Sequence, residues 1–206
     1  RARRDLLLLP GGQPGQPAPF RLNAPPAPYS PLLLVGKDGI VQHAFTRTPK
    51  GIIIHGSRSG RPGAQSDTGR HVEFISTSNY AVNEPNGYGW NSTIGVDEIA
   101  LHMGYDVYGA NARGCSDDFL AAEFAQPTEA WDIVDGQVRA FCWFFQQARR
   151  AWPNLPRYFP SHADLDGTAA YGPLDGKTDV FSKNSLRASE LRARIHARLN
   201  YLGEPQ

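Results

Sequence analysis

The residues of this chain best suited to chemistry are two histidines and a short charged triplet that lie far apart in sequence. His55 closes the run Gly51-Ile52-Ile53-Ile54-His55-Gly56, and His162 and Lys177-Thr178-Asp179 come much later. Three consecutive isoleucines have high strand preference and read as a buried strand, which carries the histidine at its end to the rim of a sheet. Two imidazoles and one carboxylate form a set that Zn2+ accepts while a fourth position stays open for water, the arrangement of catalytic rather than structural zinc. The other histidines carry less weight. His43 lies in an expected edge strand, His196 sits on a helix beside an apolar stripe, and His71 and His102 rank below the first pair as ligands.

A chain of 206 residues can bury one core without disulfide or metal staples. Its formal net charge of +1 gives no bulk attraction for nucleic acid, so no such partner is expected. Cys115 and Cys142 have no CxxC spacing, which removes a zinc knuckle and a redox motif and leaves two unpaired thiols as the expectation. No stretch reaches the roughly 18 apolar residues that span a bilayer, so membrane insertion is not expected, and a monomer is the expected state.

The elements that must position the histidines follow from composition and periodicity. Pro10 to Pro31 is dense in Pro, Gly and Gln, so residues 1–29 read as an extension and 30–206 as the compact domain. Leu32 to Val35 and Ile40 to Phe45 read as a strand pair around a Lys37-Asp38-Gly39 turn, leading into the His55 strand. Asp67 to Val82 is helical in pattern, with His71, Phe74, Ile75, Ser78 and Val82 on one side. Ser92 to Leu101 and Phe119 to Phe124 are strand-like. The strongest helix follows Pro127, with Thr128 as N-cap and Trp131, Val134, Val138, Phe141, Phe145 and Ala148 on one stripe, and it stops before Pro153. A last helix runs from about Ser185 to Leu202, with Arg187, Arg194 and Arg198 expected on a solvated face. Strands interleaved with long helices predict an α/β fold, a mixed central sheet flanked by helices.

The order His55, helix, strand, Glu123 within Phe119-Leu120-Ala121-Ala122-Glu123-Phe124, long helix, His162 and Lys177-x-Asp179 resembles the zinc-dependent N-acetylmuramoyl-L-alanine amidases. Those enzymes share their fold with amidase-type phage lysozymes and peptidoglycan recognition proteins. The resemblance covers roughly Lys50 to Phe181 and implies zinc bound by His55, His162 and Asp179. Asn111-Ala112-Arg113-Gly114 is similar to the loop that enters the family's glutamate strand. Chemistry adds roles: alternation along a strand aims Glu123 at the rim that holds His55, where it can accept a proton, and Lys177 can steady an oxyanion from the side it shares with Asp179. Trp90, Tyr105, Tyr108, Asn111 and Arg113 are candidates to line a substrate groove.

Three features depart from the family pattern. Val180-Phe181 stands where Pro-Gly usually follows Lys-x-Asp, and the loop between His162 and Asp179 is long, which leaves Asp164, Asp166 and Asp175 as rival ligands and Cys115 behind them. Trp90, near Asn91, replaces a tyrosine that is catalytic in some phage members. The implied activity is a peptidoglycan amidase that cuts between N-acetylmuramic acid and L-alanine. It would act at the bacterial cell wall as a secreted, periplasmic or phage-delivered enzyme, such as an endolysin. The alternatives are a zinc-free peptidoglycan-binding module of the same fold and a zinc peptidase acting on the stem peptide.

Overall fold

The structure is a computed structural model that describes residues 32–33, 43–83, 89–112, 114–174, 180–182 and 185–205. The expected 1–29 extension and the turn at Lys37-Asp38-Gly39 lie outside these residues. A five-stranded mixed sheet has the order β1-β5-β4-β7-β3. Its strands are β1 (Leu32–Leu33), β3 (Ile52–Gly56), β4 (Ser92–Ile94), β5 (Ile99–Leu101) and β7 (Leu120–Phe124). A separate two-stranded ribbon joins β2 (His43–Ala44) to β6 (Val107–Tyr108). The helices are α1 (Asp67–Asn83), α2 (Asp135–Ala151), the short α3 (His162–Leu165) and α4 (Leu186–Tyr201). The α/β expectation therefore holds, as a mixed sheet with helices on its faces.

Alternation along the strands divides the core in two. Ile52, Ile54, Leu120, Ala122 and Phe124 join Phe141, Phe144 and Phe145 of α2 and Leu191, Ile195 and Leu199 of α4 in one apolar cluster. Ile53 and Ala121 look the other way and pack with Phe119, Leu165 and Leu174. Each of the three isoleucines is 0% exposed, and burial of such a side chain is worth roughly 1.5–3 kcal/mol. That is why the strand bearing His55 is among the most firmly held parts of the molecule.

Strand β3 pairs with β7 on one side only. Its other edge is satisfied by the chain that returns from α2: the Ile52 N–H donates to the Tyr158 carbonyl (3.0 Å) and the Ile54 N–H to the Pro160 carbonyl (2.8 Å). Gly51 permits this approach, because a Cβ there would stand 2.2 Å from the Tyr158 carbonyl oxygen. Gly51→Ala must push backbone against backbone, and the expected loss is about 1–3 kcal/mol. Thermal unfolding checks it, at roughly 2–4 °C per kcal/mol for a chain of this length. A Tm equal to that of the parent protein would show that the edge can yield.

Several expectations are corrected. Among the described residues of the first two strands, β1 runs parallel to β5, and β2 is antiparallel to β6, where His43 stacks on Tyr108 (5.3 Å). Ser92 to Leu101 is two strands, turned at Gly95 to Glu98 by a 2.9 Å backbone hydrogen bond, with Asp97 at φ 53, a conformation that Asp tolerates better than most residues. The long helix starts at Asp135, with Val134 rather than Thr128 at its N-cap position. The reason is that the carbonyls of residues 129–133 are taken by side chains: Glu129 and Trp131 by Arg187, Ala130 by Gln65, Asp132 by Arg70 and Ile133 by Arg194. Those bonds compete with a helical ladder and win. They also overturn the solvated reading of two arginines, since Arg187 and Arg194 reach across from α4 to hold this segment, while the Arg198 guanidinium lies over the Tyr201 ring (5.3 Å).

Helix α1 runs one residue past the expected Val82, and its buried side is Arg70, Glu73, Phe74, Thr77, Ser78 and Ala81. His71 is on the exposed side, 2.9 Å from Glu98. The inward face carries polar groups because it covers the polar end of β3, where the buried Glu73 carboxylate accepts hydrogen bonds from Ser57 (2.6 Å), Ser59 (3.0 Å) and Thr77 (3.2 Å). Both cysteines are free, as expected, and buried.

Candidate functional site

His55 is the fourth residue of β3, and its partner across the parallel ladder is Glu123 of β7; on the far side of Glu123 the partner is Thr93 of β4. Residues paired in register project to one face, so His55, Glu123 and Thr93 form a row across the sheet on the face away from α2 and α4. Phe124 projects the other way into the α2 and α4 cluster.

His162 reaches the same place by a different route. The Pro160 carbonyl is bound to the Ile54 N–H, so the chain is fixed beside β3 just before it turns into α3. Ser161 caps that helix, with its N–H and hydroxyl both donating to the Asp164 carboxylate at 2.8 Å. The imidazoles of His55 and His162 then meet edge to face, with ring centroids 4.6 Å apart, and each histidine is 4% exposed.

Two buried imidazoles in contact at a strand end, with a carboxylate in register beside one of them, supply nitrogen donors suited to Zn2+. Among the described residues no group of three or more His, Cys, Asp or Glu is gathered to hold a metal. Asp179 and Lys177, and the rival Asp175, lie outside the described residues, as does Arg113. The remaining rivals are engaged elsewhere. Asp164 caps α3 and pairs with Arg192 at 2.9 Å, and Asp166 accepts the Leu174 N–H at 2.5 Å. Burial lifts the Cys115 thiol to about 11, so it stays protonated at neutral pH and packs among apolar side chains.

The groove candidates separate. Trp90 is buried, and its indole N–H donates to Thr93 Oγ1 at 2.9 Å; the same oxygen is 2.8 Å from His102 Nε2. Desolvation pushes the buried His102 ring down to about 3, so it is neutral, and the Thr93 hydroxyl can donate to it while accepting from Trp90. Trp90 is thus fixed beside the row that holds Glu123, and Tyr80 of α1, 56% exposed, stacks on it at 6.3 Å. Asn111 is turned to the neighbouring backbone, Nδ2 donating to the Gly109 carbonyl at 3.0 Å. Tyr105 and Tyr108 belong to the far side, packed against the α2 and α4 cluster, and do not line a groove with His55.

A cluster that sequence spacing does not reveal braces the opposite end of the sheet. Asp118, just before β7, receives Lys50 Nζ (2.7 Å), Arg47 Nη2 (2.5 Å) and the Tyr171 hydroxyl (2.9 Å). It ties the start of β3 to the loop that follows His162. Desolvation alone would raise the Asp118 pKa, but the hydrogen bonds from Lys50 and Tyr171 and the charges of Lys50 and Arg47 outweigh it, and the pKa falls below its usual 3.8. A carboxylate depressed by folding stabilises the native state above its unfolded value and loses that contribution as pH drops through the folded one. The Tm difference between the parent protein and Asp118→Asn is therefore expected to be full at neutral pH and to shrink below about pH 3.8. A gap that is constant with pH would assign Asp118 a packing role alone.

No family model matches this chain, and no curated protein matches it in sequence. Solved structures do match in fold. Drosophila PGRP-LB, a peptidoglycan recognition protein, is 17% identical with a TM-score of 0.51, over 75% of this chain and 98% of that one. The catalytic domain of XlyA is 15% identical with a TM-score of 0.52, over 78% of this chain and 95% of that one. The Staphylococcus aureus hydrolase AmiA, solved in complex with its ligand, is 12% identical with a TM-score of 0.51, over 84% of each chain.

Proposed function

We propose that this chain, whose fold is the one shared by type 2 N-acetylmuramoyl-L-alanine amidases and peptidoglycan recognition proteins, is a zinc-dependent amidase acting on peptidoglycan at the bacterial cell wall. The observation that carries the reading is the contact of His55 with His162 in a buried setting, with Glu123 in register beside His55. His55, His162 and Asp179 would hold the zinc, which supplies an acidified water and polarises the scissile carbonyl. Glu123 accepts the proton of the attacking water and returns it to the departing nitrogen, and the Lys177 ammonium steadies the oxyanion. The amide C–N bond breaks, leaving a carboxylate on the lactyl group and a free amine on L-alanine.

This assignment fixes the products. Digestion of purified peptidoglycan should release stem peptides with a free amino-terminal alanine and leave glycan strands with no new reducing ends. Amino-terminal labelling and mass spectrometry read both, with a chelator control and zinc add-back. New reducing ends would point to a glycosidase, and free amines on other residues to a stem peptidase. Binding without any cleavage would favour a recognition module of the same fold.

A further inference from the structure

We infer that Arg58 is a positioning residue that holds together the three chain segments on which the proposed zinc site depends; the inference rests on the amidase reading above. Arg58 follows His55 by three residues in the loop that leaves β3. Its backbone N–H donates to the carbonyl of Gln126 (3.0 Å), which follows Glu123 by three residues beyond β7. Its side chain crosses to a third segment, where Nη2 donates to the Val180 carbonyl at 2.7 Å. Val180 is the covalent successor of Asp179. One residue thus joins the continuations of His55, Glu123 and Asp179.

The third segment is well gripped around that bond. Val180 and Phe181 are 1% and 3% exposed, and the Arg187 guanidinium lies 4.5 Å over the Phe181 ring. The Ser182 N–H and hydroxyl donate to the Glu129 carboxylate at 2.9 and 2.8 Å, and the other oxygen of that carboxylate is 3.9 Å from Arg58 Nη2. Chiefly through the Ser182 N–H, Glu129 is held below its usual range, so a carboxylate faces the guanidinium. Val180-Phe181 in place of Pro-Gly fits the same picture, since a buried Phe anchors what a Pro-Gly turn would not.

The backbone of Arg58 adds an independent observation. It sits at φ 47, in the left-handed region that glycine occupies without steric penalty and other residues do not. Glycine at this position would relieve the backbone while losing the side-chain bonds to the Val180 carbonyl and Glu129. Removing the side chain should therefore do little harm to the fold and more to the site.

The test compares the parent protein with Arg58→Met, which keeps the length without the donors, and Arg58→Gly, which relieves the backbone. Zinc affinity is measured by competition with a chromophoric chelator, folding by Tm, and turnover on purified peptidoglycan as kcat and KM. The expected result is Tm within a few degrees of the parent, zinc affinity lower by roughly 10- to 100-fold, the usual range for groups that orient a metal site, and kcat reduced more than KM is raised. Arg58→Lys, with one donor for the Val180 carbonyl, should recover part of both losses. A folded Met or Gly variant that holds zinc and turns over like the parent overturns the inference. Loss of the fold in both variants also overturns it, because Arg58 would then serve the whole molecule. Absence of zinc binding in the parent protein is a different outcome, and it refutes the amidase reading itself.

Discussion

His55→Ala and His162→Ala should each abolish turnover and lower the zinc retained after dialysis, while His71→Ala should change neither. The two histidines are buried against each other at 4.6 Å, so removing either ring takes away one nitrogen donor and leaves a cavity that water fills without replacing a ligand. His71 is the control because it is a histidine of the same fold that is more than half exposed and paired with Glu98. Metal content by elemental analysis and amine release from cell walls are the two readouts. Full zinc retention in either of the first two variants would refute the assignment.

Glu123→Gln should bind zinc and fold as the parent does, yet lose on the order of 100-fold to 10000-fold in turnover, the range for a positioned acid–base group. The amide matches the carboxylate in shape and can hydrogen-bond, so the β3 to β7 register is undisturbed; what it cannot do is take a proton from water. A zinc-loaded Gln variant with near-parental turnover would move the proton role to another group on the same face. Zinc content has to be measured on the same preparation, so that loss of metal is not mistaken for loss of the base.

The parts of this molecule legible in the sequence are those with one dominant physical cause. Three isoleucines demand burial, and they form the strand that carries His55. The apolar stripe of Ala188, Leu191, Ile195 and Leu199 demands a helix, and Ser185 caps it by accepting the Ala188 N–H. Period-two alternation was enough to place Glu123 on the opposite face from Phe124. What the sequence hid depends on partners distant in the chain. The start of α2 differs from the local pattern because the carbonyls of residues 129–133 are taken by side chains distant in the chain, which no local pattern encodes. The buried face of α1 includes Phe74 and Ser78 as the periodicity predicts, but also Arg70 and Glu73, whose polar partners periodicity counts as solvent. The place of Tyr105 and Tyr108 against the α2 and α4 cluster is set by tertiary packing, which their sequence neighbourhood does not encode. The roles proposed for Asp179 and Lys177 rest on the Lys-x-Asp pattern, since those residues lie outside the described structure.

The bonds from Ile52 and Ile54 to Tyr158 and Pro160 also bear on solubility. An outer strand that reads Ile-Ile-Ile is a ready template for another chain, because bare N–H and C=O groups beside a flat apolar run invite cross-β growth. Here the segment laid over that edge contains Pro156 and Pro160, which have no N–H to pass a ladder outward. The covering segment is therefore also a terminator. Variants that loosen it, Gly51→Ala foremost, should fail first by forming intermolecular sheet on warming, so that light scattering rises before helical structure is lost.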